Sequence, residues 1–133
     1  MNLNKTILIT GASKNLGKYL TEYYLRKNYN VLSISKSSKT IINKNSFICD
    51  LSNTKKTNIL FKKIKKNFPK IDFIISCAGN SKKTYNDYET DKDWRLAFDN
   101  NFYCFVNVLD SYLKIFKYRS TKIVVISSIA STK

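Results

Sequence analysis

The chain carries five short apolar runs: Thr6–Ile9, Val31–Ser35, Phe47–Cys49, Phe73–Ser76 and Ile123–Ser127. Each is rich in β-branched or aromatic residues, and most are continuous rather than alternating. Such runs fit strands buried on both faces of a parallel sheet covered by helices. Helical periods separate them. Leu16, Leu20 and Tyr23 or Tyr24 form a stripe after the first run, and Leu60, Ile64 and Phe68 form another after the third, with Pro69 just past its end. The longest begins at Thr90, where Asp93 completes a variant capping box. Its inward face is expected to run Phe98, Phe102, Phe105, Leu109, Leu113 and Phe116, at the helical period. Segment 36–46 is polar, shows no apolar period, and holds a short helix or a loop. The order β-α-β-(α)-β-α-β-α-β predicts a single α/β domain over residues 1–133, a doubly wound parallel sheet with right-handed crossovers.

Composition narrows the function classes. At 133 residues and 43% apolar, the chain suffices for one core. No apolar run approaches the roughly 20 residues of a membrane span, and residues 1–12 lack the order of a secretion signal. A cytoplasmic protein with no membrane partner is expected. Cys49, Cys77 and Cys104 are widely spaced, form no CxxC pair, and have no histidine to share a metal. Buried thiols are expected, with neither disulfides nor a metal. The net charge of +15 invites a nucleic-acid reading. Against it, the lysines are scattered, only three arginines occur, and Lys, Asn and Ile together exceed a third of the chain. Recognition of bases or phosphates draws on the bidentate fork of Arg. The run Phe61–Phe68 reads as a helix with a solvated cationic face, and no nucleic-acid partner is expected.

The chain has three glycines, Gly11, Gly17 and Gly79. Gly11 and Gly17 flank the turn from the first strand into the first helix. A turn of that kind presents backbone N–H groups and the positive end of a helix dipole, which suits a pyrophosphate. Asn15 lies between the two glycines and tolerates left-handed backbone, so it can stand in for a third.

Thr10–Gly17, TGASKNLG, resembles the cofactor motif of the short-chain dehydrogenase/reductase family, commonly TGASxGIG, with Asn15 at the middle glycine. Further motifs follow in the same order. Cys49–Ser52, CDLS, is similar to the family's Asp-Leu after the third strand. Ile71–Gly79, IDFIISCAG, is similar to iDvLVNNAG, with Ser76 and Cys77 replacing two asparagines. Trp94–Val108 resembles the helix that carries the active-site asparagine, here Asn101. Ile123–Ser128, IVVISS, resembles the fifth strand ending on the catalytic serine, here Ser128. The resemblance implies the single-domain reductase branch and a Rossmann-type sheet truncated after its fifth strand. It also implies cofactor contacts from Gly11, Ser13, Lys14, Asn15, Leu16 and Gly17, from Asp50 and Leu51, and from Ala78 and Gly79. The Asp50 carboxylate would meet the adenine amino group. The competing readings make Asp50 a helix N-cap, Asn101 the satisfier of a helix kink, and Ser127 the serine in question. Asn101 is expected near its helix's buried side, with an ordered water as partner.

A site for NAD usually places a carboxylate at the end of the second strand. Here that strand ends in SISKSSK, Ser33–Lys39, and no carboxylate follows before Asp50. Ser35 and Lys36 occupy the place, with Lys14 in the glycine turn. Two ammonium groups suit a 2′-phosphate, so NADP rather than NAD is expected. The reaction implied by the resemblance is hydride transfer between the nicotinamide and a small carbonyl or alcohol substrate. Ser128 would polarise the carbonyl, and Asn101 would hold a water of the proton relay. The proton would come from a tyrosine about thirteen residues beyond Ser128, a general acid tuned near working pH. That position lies past Lys133. The chain therefore reads as an N-terminal fragment lacking the catalytic Tyr and Lys, inactive alone, from a parent expected to be a homo-oligomer. Its last strand is expected to leave an exposed apolar edge. The alternative is a dinucleotide-binding or regulatory module with no chemistry of its own.

Overall fold

The computed structural model describes residues 5–37, 43–81, 88–117 and 120–127. Five strands, β1 (Thr6–Thr10), β2 (Asn30–Ser35), β3 (Ser46–Ile48), β4 (Phe73–Ser76) and β5 (Lys122–Val125), form one sheet. Their spatial order is β3-β2-β1-β4-β5, and every pairing is parallel. This is the arrangement the continuous apolar runs require, since helices must then cover both faces.

Helix α1 (Asn15–Arg26) covers one face, where Ile7, Ile9, Val31 and Ile75 pack with Leu20, Tyr24 and Leu25. Helices α2 (Thr54–Asn67) and α4 (Cys104–Phe116) cover the other, over Leu8, Leu32, Ile34 and Ile74. There Phe61 meets Phe116 edge-on at 6.3 Å, and Tyr112 stacks on Phe116 at 5.2 Å. Helix α3 (Asp91–Phe98) precedes α4 and joins it through a π turn, Asp99–Tyr103. Its start is the capping box expected from sequence: Thr90 accepts from the Asp93 N–H, and the Asp93 carboxylate accepts from Thr90. No helix of the described residues is long and apolar enough to cross a membrane. Of segment 36–46, residues 38–42 lie outside the described ones, and Asn43–Asn45 turn into β3.

Two expected helix faces are corrected. Along α3, the π turn and α4, Phe98, Phe102 and Leu113 are about half exposed; Phe116 is buried as expected, and Cys104, Val108 and Tyr112 share its face on the sheet. The π turn inserts a wider turn into the period, which rotates everything after it relative to Phe98. The buried face also holds two polar residues that an apolar count skips. Asn107 donates to the carbonyls of Leu51 and Ser52, and the Ser111 hydroxyl donates to Asn58 on α2. On α1, Leu16 and Tyr23 lie outward, and the buried positions are Gly17 and Thr21. Small residues there let the helix lie close to the sheet. The α2 stripe stands as expected, with Leu60 and Ile64 buried and Phe68 packed against the core.

At the bottom of the sheet, Asp72 ties three strands. Its carboxylate accepts from the Thr6 N–H at 2.9 Å and pairs with Lys70 at 2.6 Å. Its backbone N–H donates to the Thr6 carbonyl, and its carbonyl accepts from Lys122. Burial works to raise the pKa of this carboxyl, but Lys70 and the Thr6 N–H outweigh it and hold the pKa below the ordinary value. A lowered folded pKa contributes stability that is complete above the unfolded value of about 4 and is lost as pH falls through the folded one. Asp72→Asn is therefore expected to lower stability at neutral pH and to flatten its decline in acid, read from denaturant melts across pH. In the core, Phe61→Ala should cost about 3–5 kcal/mol. Ile59→Ala, on the exposed side of the same helix, should change stability by no more than about 0.5 kcal/mol in the same melts.

Candidate functional site

The strand order reverses direction between β1 and β4, and at that point the connections leave the sheet toward opposite faces. Such a switch opens a crevice beyond the carboxyl ends of the strands. A cavity of about 540 Å³ lies there. Its walls include Gly11, Ser13, Lys14, Asn15, Leu16 and Gly17 from the β1–α1 turn, and Ser35 and Lys36 from the end of β2. Asp50 and Leu51, after β3, and Ala78 and Gly79, after β4, complete the set expected from sequence.

The turn is built by close backbone contact. Gly11 has φ +67°, and a Cβ on it would stand 2.7 Å from the Cys77 carbonyl oxygen. A Cβ on Gly17 would stand 2.2 Å from the Gly11 carbonyl oxygen, so a side chain there would force the helix off the turn. Asn15 has φ 45°, the left-handed backbone for which asparagine suits it. Thr10, whose role the sequence leaves unassigned, fastens this turn to the loop after β4. Its hydroxyl accepts from the Ala78 N–H at 3.2 Å and donates to Ser76 at 3.5 Å. Helices α2 and α3 begin on side-chain caps, from Asn53 and Thr90, whereas α1 begins at Lys14 with no side-chain cap. Its first-turn N–H groups and its dipole are thus presented at the cavity wall, where an anion suits them.

Asp50 is not the cap of α2, since Asn53 takes that place. Its Oδ1 accepts from the Ser52 N–H at 3.1 Å and the Ser52 hydroxyl at 2.7 Å, and its Oδ2 lies 3.0 Å from Lys36 Nζ. Burial works to raise its pKa, but Ser52 and Lys36 prevail and hold it below the ordinary value. Lys36, expected to serve a 2′-phosphate, is paired with Asp50 here. The buried Ser35 hydroxyl donates to the Ser37 carbonyl and shapes the same corner.

Asn101 is exposed, which corrects its expected place near the buried side of its helix. It sits in the π turn, and its amide donates to the carbonyls of Asn80 and Ala97, both at 2.9 Å. Its Oδ1 accepts from the Asn80 N–H at 2.9 Å. The side chain thereby bridges the wide turn to the loop carrying Ala78 and Gly79. Both amide hydrogens are engaged by backbone carbonyls. Ser128 lies outside the described residues. Ser127 is exposed just past β5, and Ile126 reaches the cavity wall. The side chains of β5 are exposed, including Ile123, Val124 and Val125.

All three cysteines line the same cavity, a convergence that their spacing in sequence does not reveal. Burial pushes each thiol above its ordinary pKa, so they stand there as neutral thiols. Among the described residues no group of three His, Cys, Asp or Glu is placed to hold a metal.

Known proteins share this arrangement. The sequence profile of the short chain dehydrogenases matches residues 5–133. An uncharacterised oxidoreductase of Schizosaccharomyces pombe is 36% identical over 78 residues, 56% of this chain and 27% of that protein. A second from the same organism is 30% identical over 139 aligned positions, 97% of this chain and 55% of that protein. The chain thus spans at most about half the length of these relatives. The crystal structure of a short chain dehydrogenase from Leptospira borgpetersenii, with bound NAD+, superimposes with a TM-score of 0.87 at 23% identity, covering 98% of this chain and 54% of that one.

The packing of the turn sets a direct expectation. Gly17→Ala should lower stability by about 1–3 kcal/mol, the cost of forced overpacking. Asn15→Gly keeps the left-handed residue without strain and should stay within about 0.5 kcal/mol of the parent. Equilibrium urea melts of the two variants distinguish these outcomes.

Proposed function

The chain belongs to the short chain dehydrogenase family, and we propose that the protein carrying it is an oxidoreductase that interconverts a small carbonyl and an alcohol with NADP. In this reading residues 1–133 form a dinucleotide-holding unit. The observation that carries this reading is the uncapped start of α1 on the cavity wall, behind a turn closed by Gly11 and Gly17. The cavity volume lies in the range of cofactor sites.

In this reading the residues divide the work as follows. The first-turn N–H groups of α1, with Ser13, hold the paired phosphates. Asp50 accepts from the adenine amino group. Lys14 and Lys36 face the 2′-phosphate, beside Ser35. Ala78 and Gly79 let the backbone lie close to the nicotinamide half. What the dinucleotide brings is the hydride; the chain orients it and manages the proton. Ser128 donates to the substrate oxygen. Asn101 is a positioning residue of the proton relay, since its amide clamps Asn80 to the π turn. The tyrosine acid and its lysine come from the part of the protein beyond this chain, as do the substrate-selecting walls. A cytoplasmic, homo-oligomeric protein completes the proposal.

Titration of the protein with NADPH and NADH, followed by nicotinamide fluorescence, tests the binding half. NADPH is expected to bind the more tightly. Lys14→Gln should weaken NADPH by about three- to tenfold, the loss of one charge-assisted contact, and leave NADH unchanged. NADH bound as tightly, with Lys14→Gln moving neither, would refute the NADP preference. For the chemistry, Ser128→Ala in the longer protein should lower kcat for carbonyl reduction by about a hundredfold or more with the dinucleotide Kd held.

A further inference from the structure

Strand register brings two opposite charges together at one corner of the cavity. β2 and β3 pair in parallel with Ser35 opposite Ile48, and the Cys49 N–H continues the ladder to the Ser35 carbonyl at 2.8 Å. Lys36 follows the last residue of β2, and Asp50 lies two residues past the end of β3, so the two emerge one position out of step at the same end of neighbouring strands. Their side chains meet at 3.0 Å and both line the cavity.

The two partners differ in freedom. Asp50 is the fixed one: Ser52 binds its Oδ1 twice, and its side chain is 34% exposed. Lys36 is the movable one, on a long flexible stem with 60% of its side chain exposed. With two donors already on Oδ1, Oδ2 is the natural acceptor for any further group, and Lys36 sits on it.

We propose that Asp50 limits the preference of this site for the 2′-phosphorylated dinucleotide, by holding Lys36 as a counter-ion from which the phosphate must draw it. This rests on the dinucleotide reading of the cavity given above. A 2′-hydroxyl makes no such demand, and Lys36 stays on Asp50. A 2′-phosphate recruits Lys36 only by breaking the pair, so part of its attraction is spent in the exchange. The effect is modest in size, because an exposed ion pair is weak and screened.

The test is the ratio of NADP+ to NAD+ affinity, measured by calorimetry on the protein, on Asp50→Asn, on Lys36→Gln and on the double variant. Any contact of Asp50 with adenine is common to both dinucleotides and cancels in the ratio. Asp50→Asn should raise the ratio about two- to fivefold, the range set by an exposed ion pair. Lys36→Gln should lower it, and Asp50→Asn added to Lys36→Gln should leave it where Lys36→Gln put it. A ratio unmoved or lowered by Asp50→Asn, or raised equally with and without Lys36, overturns the proposal while the dinucleotide reading stands. If the unsubstituted protein binds neither dinucleotide, the reading of the cavity fails and this proposal with it. Asparagine retains the oxygen that Ser52 binds, and Lys36 is a surface residue, so both variants should fold; thermal melts verify it.

Discussion

The contact of Gly17 with the carbonyl of Gly11 governs the upper end of the molecule. No side chain fits between them. The first turn of α1 is consequently pressed against the end of β1, and the helix axis is aimed at the cavity. Thr21, one turn on, donates to the Gly17 carbonyl at 2.8 Å and keeps the helix seated. The Ala12 N–H donates to the Ile34 carbonyl, so the turn is also fastened to β2. The loop after β4 then closes over Gly11, with Thr10 as its tether. Strand order opens the crevice; this contact gives it a floor and a polarity.

The charge of the molecule and the charge of the cavity are separate matters. Many lysines lie on outer helix faces, as the segment Phe61–Phe68 shows, where Phe61 and Ile64 point inward and Lys62 and Lys63 between them outward. Within the cavity the cations Lys14 and Lys36 share the wall with the carboxylates of Asp50 and Asp99 and with three thiols kept neutral by burial. The local field is set by a few groups at close range, while distant surface lysines are screened within roughly 10 Å.

Elements were legible in the sequence where local pattern and final environment agree. β4 coincides with its apolar run, and the capping box of α3 is formed by the residues that predict it. The glycine turn was legible because so few glycines occur. The faces of α1 and α4 were not, for two physical reasons. Of the α1 stripe, Leu20 and Tyr24 do pack on the sheet, but close packing favours small residues, so Gly17 and Thr21 are the fully buried positions while Leu16 and Tyr23 are exposed. Polar residues can face inward when a partner helix or loop satisfies them, as with Asn107 and Ser111. A π turn leaves no mark in the apolar period, yet it shifts the phase of all that follows. The pairing of Lys36 with Asp50 and the gathering of the cysteines depend on sheet order, which no single stretch of sequence records.

The sheet's central pairing joins residues remote in the chain: the Thr6 N–H bonds an Asp72 carboxylate 66 positions away. β1 and β2, linked by α1, lie close in sequence and both precede β4. As the polypeptide leaves the ribosome, the β4-facing side of β1 waits with its amides and carbonyls unclaimed until Phe73–Ser76 has emerged. Closing so long a loop comes late and slowly. For that interval the nascent βαβ unit offers a sticky flank to its neighbours, the period when a chaperone holding this segment would matter most.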